Sequence, residues 1–217
     1  MKVVLVGATG FVGSALLAEA LNRGHEVTAV VRNPAKLEKT PGLTAIRGDV
    51  NDSAALTSII TGHDALISAF NPGWTPGTPR PEMYDEQMRG TVSIIAAAKN
   101  AHIKRVLWVG GAGGLKVSPG VMLIDTPDFP EWIKPGSRAT SAALEALGNE
   151  PELEWSYLAP AATLEPGVKT STFRLGGDQL LVDAKGESRI SVQDYAVAMI
   201  DELENPKHVR QRFSVAY

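Results

Sequence analysis

Four apolar residues, Val3-Val-Leu-Val6, run into a turn whose glycines fall at 7, 10 and 13, and a helical pattern begins at Phe11. No other feature constrains the fold as much. Val3 to Val6 has no polar alternation, the pattern of a strand covered on both faces of a parallel sheet. A buried strand, a glycine turn and a helix in that order predict a nucleotide site. The spacing is GxxGxxG rather than GxGxxG, but the physical demands are shared. Gly7 permits the tight turn, Gly10 lets backbone approach a pyrophosphate, and Gly13 lets the helix pack close to the strand. The helix N-terminus, with Thr9, Phe11 and Val12 beside the glycines, then offers N–H groups and partial positive charge to phosphates.

The pattern continues by alternation. Helical spacing from Phe11 to Asn22 closes at Gly24, and Glu26–Val31 reads as a strand stopped by Arg32-Asn-Pro34. Leu43–Ile46 is a third strand, and Asp52 or Ser53 caps a helix to Thr61. Ala65–Phe70 is a fourth strand, followed by a Pro/Gly-rich loop from Asn71 to Pro81 and a helix from about Glu82 to Asn100. Val106–Val109 is a fifth strand ending in Gly110-Gly-Ala-Gly-Gly114. Leu115 to Pro135 reads as a long loop, Ser137–Leu147 as a helix and Trp155–Leu158 as a sixth strand. Leu180–Val182 and Arg189–Ser191 are candidate short strands. Ser191-Val-Gln-Asp194 is a capping box before a helix to about Leu203, and Arg212–Tyr217 alternates like an edge strand. Such alternation predicts right-handed βαβ units and an α/β fold, a doubly wound, mostly parallel Rossmann sheet with helices on both faces. Its 217 residues suit a single domain over 1–217, with small substrate-side elements from about residue 160.

Ligands of such sheets bind at the carboxyl ends of the strands, where the strand order reverses. Besides the glycine turn, those ends are Arg32 and Asn33, Asp49 and Val50, Ala69-Phe70-Asn71, and Gly110 and Gly111. The end of the second strand discriminates between cofactors: an acid there bonds the ribose hydroxyls of NAD, whereas an arginine suits the 2′-phosphate of NADP. Arg32 stands there, and no acid follows until Glu38. NADP is the expected cofactor, with NAD the alternative. Asp49 has two readings, a contact near the adenine or the start of the next helix cap.

Composition excludes other chemistries. The net charge of −3 lacks the basic excess of a nucleic-acid binder. Without cysteine there is no disulfide, thiolate catalysis or Cys-ligated metal. The four histidines show no HxxxH or HxH spacing, so no metal site is expected. No apolar stretch reaches membrane-spanning length, and Gly7 and Gly10 interrupt the apolar N-terminus too early for a signal peptide. A cytoplasmic location without membrane or nucleic-acid partners is the expectation; oligomeric state is open.

Several segments resemble a known family. Gly7-Ala-Thr-Gly-Phe-Val-Gly13, Val-Val-Arg-Asn-Pro34, Gly48-Asp-Val50 and the Trp155-to-Pro160 strand are similar to atypical short-chain dehydrogenases/reductases. The tail Gly176-Gly-Asp-Gln-Leu-Leu-Val-Asp183, with Ile190-Ser191 and Asp194-Tyr-Ala196, resembles the NmrA-like branch and the NADH-flavin or biliverdin-type reductases. The resemblance implies NAD(P)H binding over nearly the whole chain. It also exposes a departure, because that superfamily's typical Tyr-xxx-Lys pair is missing. Tyr84, Tyr157 and Tyr195 are followed four residues later by Met88, Ala161 and Met199. The helix expected to carry the pair reads Ser137-Arg-Ala-Thr-Ser141, and the usual serine position reads Gly110-Gly-Ala-Gly.

Two functions are compatible with a kept cofactor motif and a lost acid–base set. One is a reductase whose small-molecule partner is a flat conjugated acceptor, a flavin, quinone or tetrapyrrole, which takes hydride without strong acid catalysis. Trp74, Phe129 and Trp132 then either line the acceptor pocket or simply pack their loops down, and the residues name no catalytic group. The other is a non-catalytic NADP(H)-binding sensor. A sugar-nucleotide epimerase is disfavoured without the Tyr–Lys pair.

Overall fold

The computed structural model describes residues 1–73 and 75–217. The chain begins β1 (Lys2–Val6), α1 (Phe11–Asn22), β2 (Glu26–Val31), β3 (Leu43–Arg47), α2 (Ser53–Ile60) and β4 (Ala65–Ser68). It continues α3 (Met83–Asn100), β5 (Arg105–Val109), β6 (Lys116–Ser118), β7 (Val121–Met122), α4 (Lys134–Gly148) and β8 (Glu154–Ala159). It ends β9 (Thr163–Glu165), β10 (Arg174–Gly176), β11 (Arg189–Ser191), α5 (Val192–Glu204) and β12 (Gln211–Ala216).

Eight strands form one sheet in the order β10-β12-β8-β5-β4-β1-β2-β3. Every neighbouring pair is parallel except β10 with β12. The absence of alternation in β1 now has its cause. Val3 and Leu5 pack with Leu16 of α1 and Tyr195 and Met199 of α5, whereas Val4 and Val6 pack with Leu56 of α2, Ile94 of α3 and Leu147 of α4. Both faces of the strand are therefore covered, as the doubly wound fold requires. Strand order reverses between β1 and β4, which opens a crevice at their carboxyl ends.

Local signals close the helices. Gly24 follows α1 at φ +78° and its N–H reaches Leu21 O at 2.9 Å. Asp52, not Asp49, caps α2, accepting the Ala55 N–H at 3.0 Å. Ser191 caps α5 by accepting the Asp194 N–H at 3.0 Å. The Asp194 side chain is itself buried and accepts from Thr170 N, Thr170 Oγ1, Ser171 N and the Tyr217 hydroxyl. Burial alone would raise its pKa, but these donors outweigh it and hold the carboxyl below its ordinary range. The segment before β10 is thereby lashed to α5.

Several expectations need correction. The strand from Ala65 stops at Ser68 and not Phe70. The helix placed from Ser137 begins at Lys134, with Pro135 in its first turn, where a missing N–H is no loss. Residues 115–135 are not one loop: β6 and β7 pair antiparallel around Gly120 at φ +78°, and short 3-10 turns follow. Leu180–Val182 is not a strand; Gln179 makes a lone bridge to Lys116, and β10 pairs instead at Arg174–Gly176. β12 is not an edge, because β10 covers it on the side away from β8. No helix among the described residues is long and apolar enough to cross a membrane.

Candidate functional site

The crevice is built first by glycine. A Cβ on Gly7, which sits at φ +83°, would lie 2.3 Å from Ala69 O, and a Cβ on Gly13 would lie 2.0 Å from Gly7 O. These two positions let β1, β4 and α1 converge. Gly10 differs, since its Cβ would meet only Gly7 O, at 3.3 Å. The protein's own packing therefore leaves space over Gly10. Gly10 caps α1 without a side-chain bond, and the N–H groups of Phe11, Val12 and Gly13 make no hydrogen bond to a described residue. An open cradle with unpaired donors at a helix N-terminus fits a pyrophosphate. Phe11 is exposed and Val12 half-buried at this end.

Beside the turn lies a cavity of about 400 Å³. Gly7, Arg32, Asp49, Val50, Phe70 and Asn71, all named from the sequence, line it together. Asn33 instead caps the following short turn, its side chain accepting from Ala35 N at 3.1 Å. Thr9, Gly10, Ala69, Gly110 and Gly111 stand outside this cavity's lining. Asp49 Oδ1 accepts from the Asn51 backbone at 2.9 Å and its side-chain amide at 3.0 Å, which turns the chain at the cavity wall. Sequence reasoning missed Arg80, Glu86 and Arg89, which line the same hollow. Arg80 bonds Glu82 at 2.9 Å and Glu86 at 2.7 Å, and it clasps Gly73 O, so it pins the Pro/Gly loop to α3. Glu86 and Arg89 are three apart on a helix, a spacing that put both on one face but said nothing of what they faced.

The end of β5 is packed shut from below. A Cβ on Gly110 would stand 2.1 Å from the Tyr157 ring, one on Gly111 2.6 Å from Thr140 Oγ1, and one on Gly113 1.9 Å from Ser137 Oγ. Glycines occupy the expected serine position because α4 and β8 leave no room for a side chain. The Tyr157 hydroxyl accepts the Gly111 N–H at 3.1 Å and donates to Thr140 O at 3.0 Å. Burial raises its pKa, so the phenol is both committed and reluctant to ionise. Ser137 Oγ is buried without a partner among the described residues. Arg212 ties this edge to the tail, bonding Gly114 O at 2.8 Å and Asp178 at 2.6 Å.

Of the three aromatic candidates, Phe129 packs at this edge, its ring 3.4 Å from where a Gly113 Cβ would be. Trp132, half-buried, lies in the turn that leads into α4. Trp74 lies outside the described residues. The site thus has two parts, the cavity beside β1–β3 and the edge at β5 and α4, with the glycine turn at the strand-order reversal between them. No group of three or more acidic or histidine side chains able to hold a metal occurs among the described residues.

Comparison with known proteins bears on this geometry. A family model described as NAD(P)H-binding matches residues 7–205. YwnB, an uncharacterized protein of Bacillus subtilis, is 39% identical over 218 residues, 99% of this chain and 98% of its own. A provisionally assigned epimerase from Bacteroides thetaiotaomicron is 48% identical, with a TM-score of 0.92 over 100% of this chain and 96% of that one. A provisionally assigned NADH-flavin reductase from Streptococcus pneumoniae is 34% identical, with a TM-score of 0.83 over 100% and 99% of the two chains.

Proposed function

This chain belongs to the NAD(P)H-binding family, and from that premise we propose that it is a reductase that prefers NADPH and passes hydride to a flat conjugated acceptor. The observation that carries the reading is the contrast between the two halves of the site. One half has an open phosphate cradle and an arginine, Arg32, without a partner among the described residues; the other has glycines where an acid–base set would stand, over a phenol already committed to Gly111 and Thr140.

NADPH supplies the hydride when bound; the chain's part is binding and positioning. The N–H groups of Phe11 to Gly13 hold the pyrophosphate. Arg32, at the end of β2, offers a planar fork to the 2′-phosphate. Gly110 and Gly111 present backbone alone to the nicotinamide end, with Phe129 and Trp132 beside the acceptor. A flavin, quinone or tetrapyrrole spreads the incoming charge over its own ring system, so the lack of a positioned acid costs it little. A ketone builds alkoxide charge at one oxygen, where a missing general acid costs roughly 10²–10⁴ in rate. Likeness to an NADH-flavin reductase supports flavin as an acceptor. Likeness to an epimerase is weighed down by the absent Tyr–Lys pair.

Steady-state NADPH oxidation with FMN, menadione and biliverdin tests the reading. Turnover with at least one is expected; none with any would favour a cofactor-binding sensor. The preference for NADPH has its own test in Arg32→Ala. A charge-assisted contact is worth about 1.5–3 kcal/mol, so this variant should bind NADPH roughly tenfold to a hundredfold more weakly and NADH nearly unchanged. Equal losses for both would refute the phosphate role.

A further inference from the structure

We propose that Arg89 on α3 is a second specificity-determining residue, gripping the 2′-phosphate of NADPH together with Arg32. This rests on the reading of the 400 Å³ cavity as the adenosine end of the cofactor site. Among the residues lining it, the cations are Arg32, Arg80 and Arg89 and the carboxylates are Asp49 and Glu86. Their pairing is uneven. Arg80 takes Glu86 at 2.7 Å and Glu82 at 2.9 Å, while the Asp49 carboxylate is engaged by Asn51 at 2.9 and 3.0 Å. Arg32 and Arg89 have no hydrogen bond or ion pair with any described residue.

Asp85 and Glu86, four and three residues before it on the same helix, are the natural partners of Arg89. Glu86 is taken by Arg80, and Asp85, which lines a neighbouring hollow with Arg89, forms no ion pair with it. Arg32 and Arg89 are therefore the two guanidinium groups of the hollow whose N–H donors, among the described residues, are left for an anion bound there. The pyrophosphate is served by the N-terminus of α1, so the anion left for this end of a dinucleotide is a phosphate on the adenosine ribose. A glycine explains how an α3 residue comes to line a hollow at the ends of β1–β3. A Cβ on Gly90 would lie 2.1 Å from the Phe70 ring, so only glycine lets α3 press against the end of β4 and bring the adjoining Arg89 to the cavity.

The test is calorimetric titration of NADPH, NADH, adenosine 2′,5′-bisphosphate and AMP, which separates the phosphate from the rest of the cofactor and needs no turnover. Arg89 is exposed, so Arg89→Ala should leave Tm unchanged. It should weaken NADPH and the bisphosphate about tenfold, the scale of one charge-assisted contact, with NADH and AMP within about twofold. Arg89→Lys should restore part of the loss, and added salt should shrink the difference between wild type and Arg89→Ala. Unchanged binding of all four ligands, or equal weakening of NADPH and NADH, would overturn the assignment while leaving the cofactor reading intact. Failure of the wild type to bind any of the four would overturn both.

Discussion

Gly10→Val should abolish dinucleotide binding while the protein stays folded. Gly10 has φ −83° and ψ 172°, extended backbone open to any residue, and its Cβ would meet only Gly7 O, at 3.3 Å. A side chain there asks Gly7 O to give by a few tenths of an ångström, a small shift beside the 2.0 and 2.3 Å clashes at Gly13 and Gly7. The methyl groups of valine, however, fill the space over the three free N–H groups of α1. A phosphate displaced from those donors loses several charge-assisted bonds of about 1.5–3 kcal/mol each, so affinity should fall roughly a hundredfold or more. Calorimetric titration with NADPH, beside a thermal melt, reads both halves of the expectation. The neighbouring glycines make the control. At Gly13 or Gly7 a Cβ lands 2.0 or 2.3 Å from a backbone oxygen, so those alanine variants should lose the fold itself. Wild-type affinity in Gly10→Val would exclude the turn as the phosphate cradle.

The largest stability effect is expected far from the site, at Glu202. Its carboxylate, 3% exposed, meets Arg105 Nη2 at 3.0 Å, Ser156 Oγ at 2.9 Å, the His208 N–H at 2.9 Å and His208 Nδ1 at 2.8 Å. The His208 ring in turn stacks on Phe213 at 4.1 Å. This cluster joins α5 to β5, β8 and β12 at the end of the sheet opposite the crevice. Burial pulls Arg105 down from its ordinary pKa, against the attraction of Glu202, but a guanidinium stays charged at neutral pH. Glu202→Ala leaves that charge buried and unpaired, at a cost of about 3–5 kcal/mol. For a chain of this length that is a fall of roughly 6–20 °C in Tm.

The pH dependence follows from the carboxylate. Burial alone would raise the Glu202 pKa, but His208 and the neighbouring N–H groups outweigh it and the net shift is downward. Its contribution is therefore complete above the unfolded carboxyl range of about 4.3 and is lost as pH falls through the lower folded value. The gap in Tm between wild type and Glu202→Ala should narrow as pH falls from 7 to 3. A gap that is constant with pH would mean that the carboxylate's charge contributes nothing.

The β1–α1–β2 unit was legible because both-face burial leaves an unalternated apolar run, and because Gly7 and Gly13 answer close backbone approaches that no other residue allows. The capping signals at Asp52 and Ser191 were equally local. What escaped was non-local. β6, besides its local pairing with β7, is held by the Lys116 N–H on Asp178 O and the Leu180 N–H on Lys116 O, bonds across more than sixty residues that no window of sequence contains. β10 is three residues long, too short for a period. The interior place of β12 depends on β10 folding back beside it. Within the site, Arg32 was legible from the end of a predicted strand. Arg89 was not, because a lone arginine on a helix gains meaning only when Gly90 brings that helix against Phe70. The glycines at 110, 111 and 113 were visible in the sequence, but why no side chain fits there needed Tyr157, Thr140 and Ser137 in place.

The reductase reading meets its most direct test in relative rates. With NADPH saturating, kcat/KM is measured for FMN, menadione and biliverdin, and for simple ketones and aldehydes. Conjugated acceptors should be reduced, and the carbonyl compounds should be slower by roughly 10²–10⁴, the contribution of an absent general acid. Brisk reduction of simple ketones would contradict the account, for it would require an acid at the β5 edge that Gly110 and Gly111, packed on Tyr157 and Thr140, do not supply.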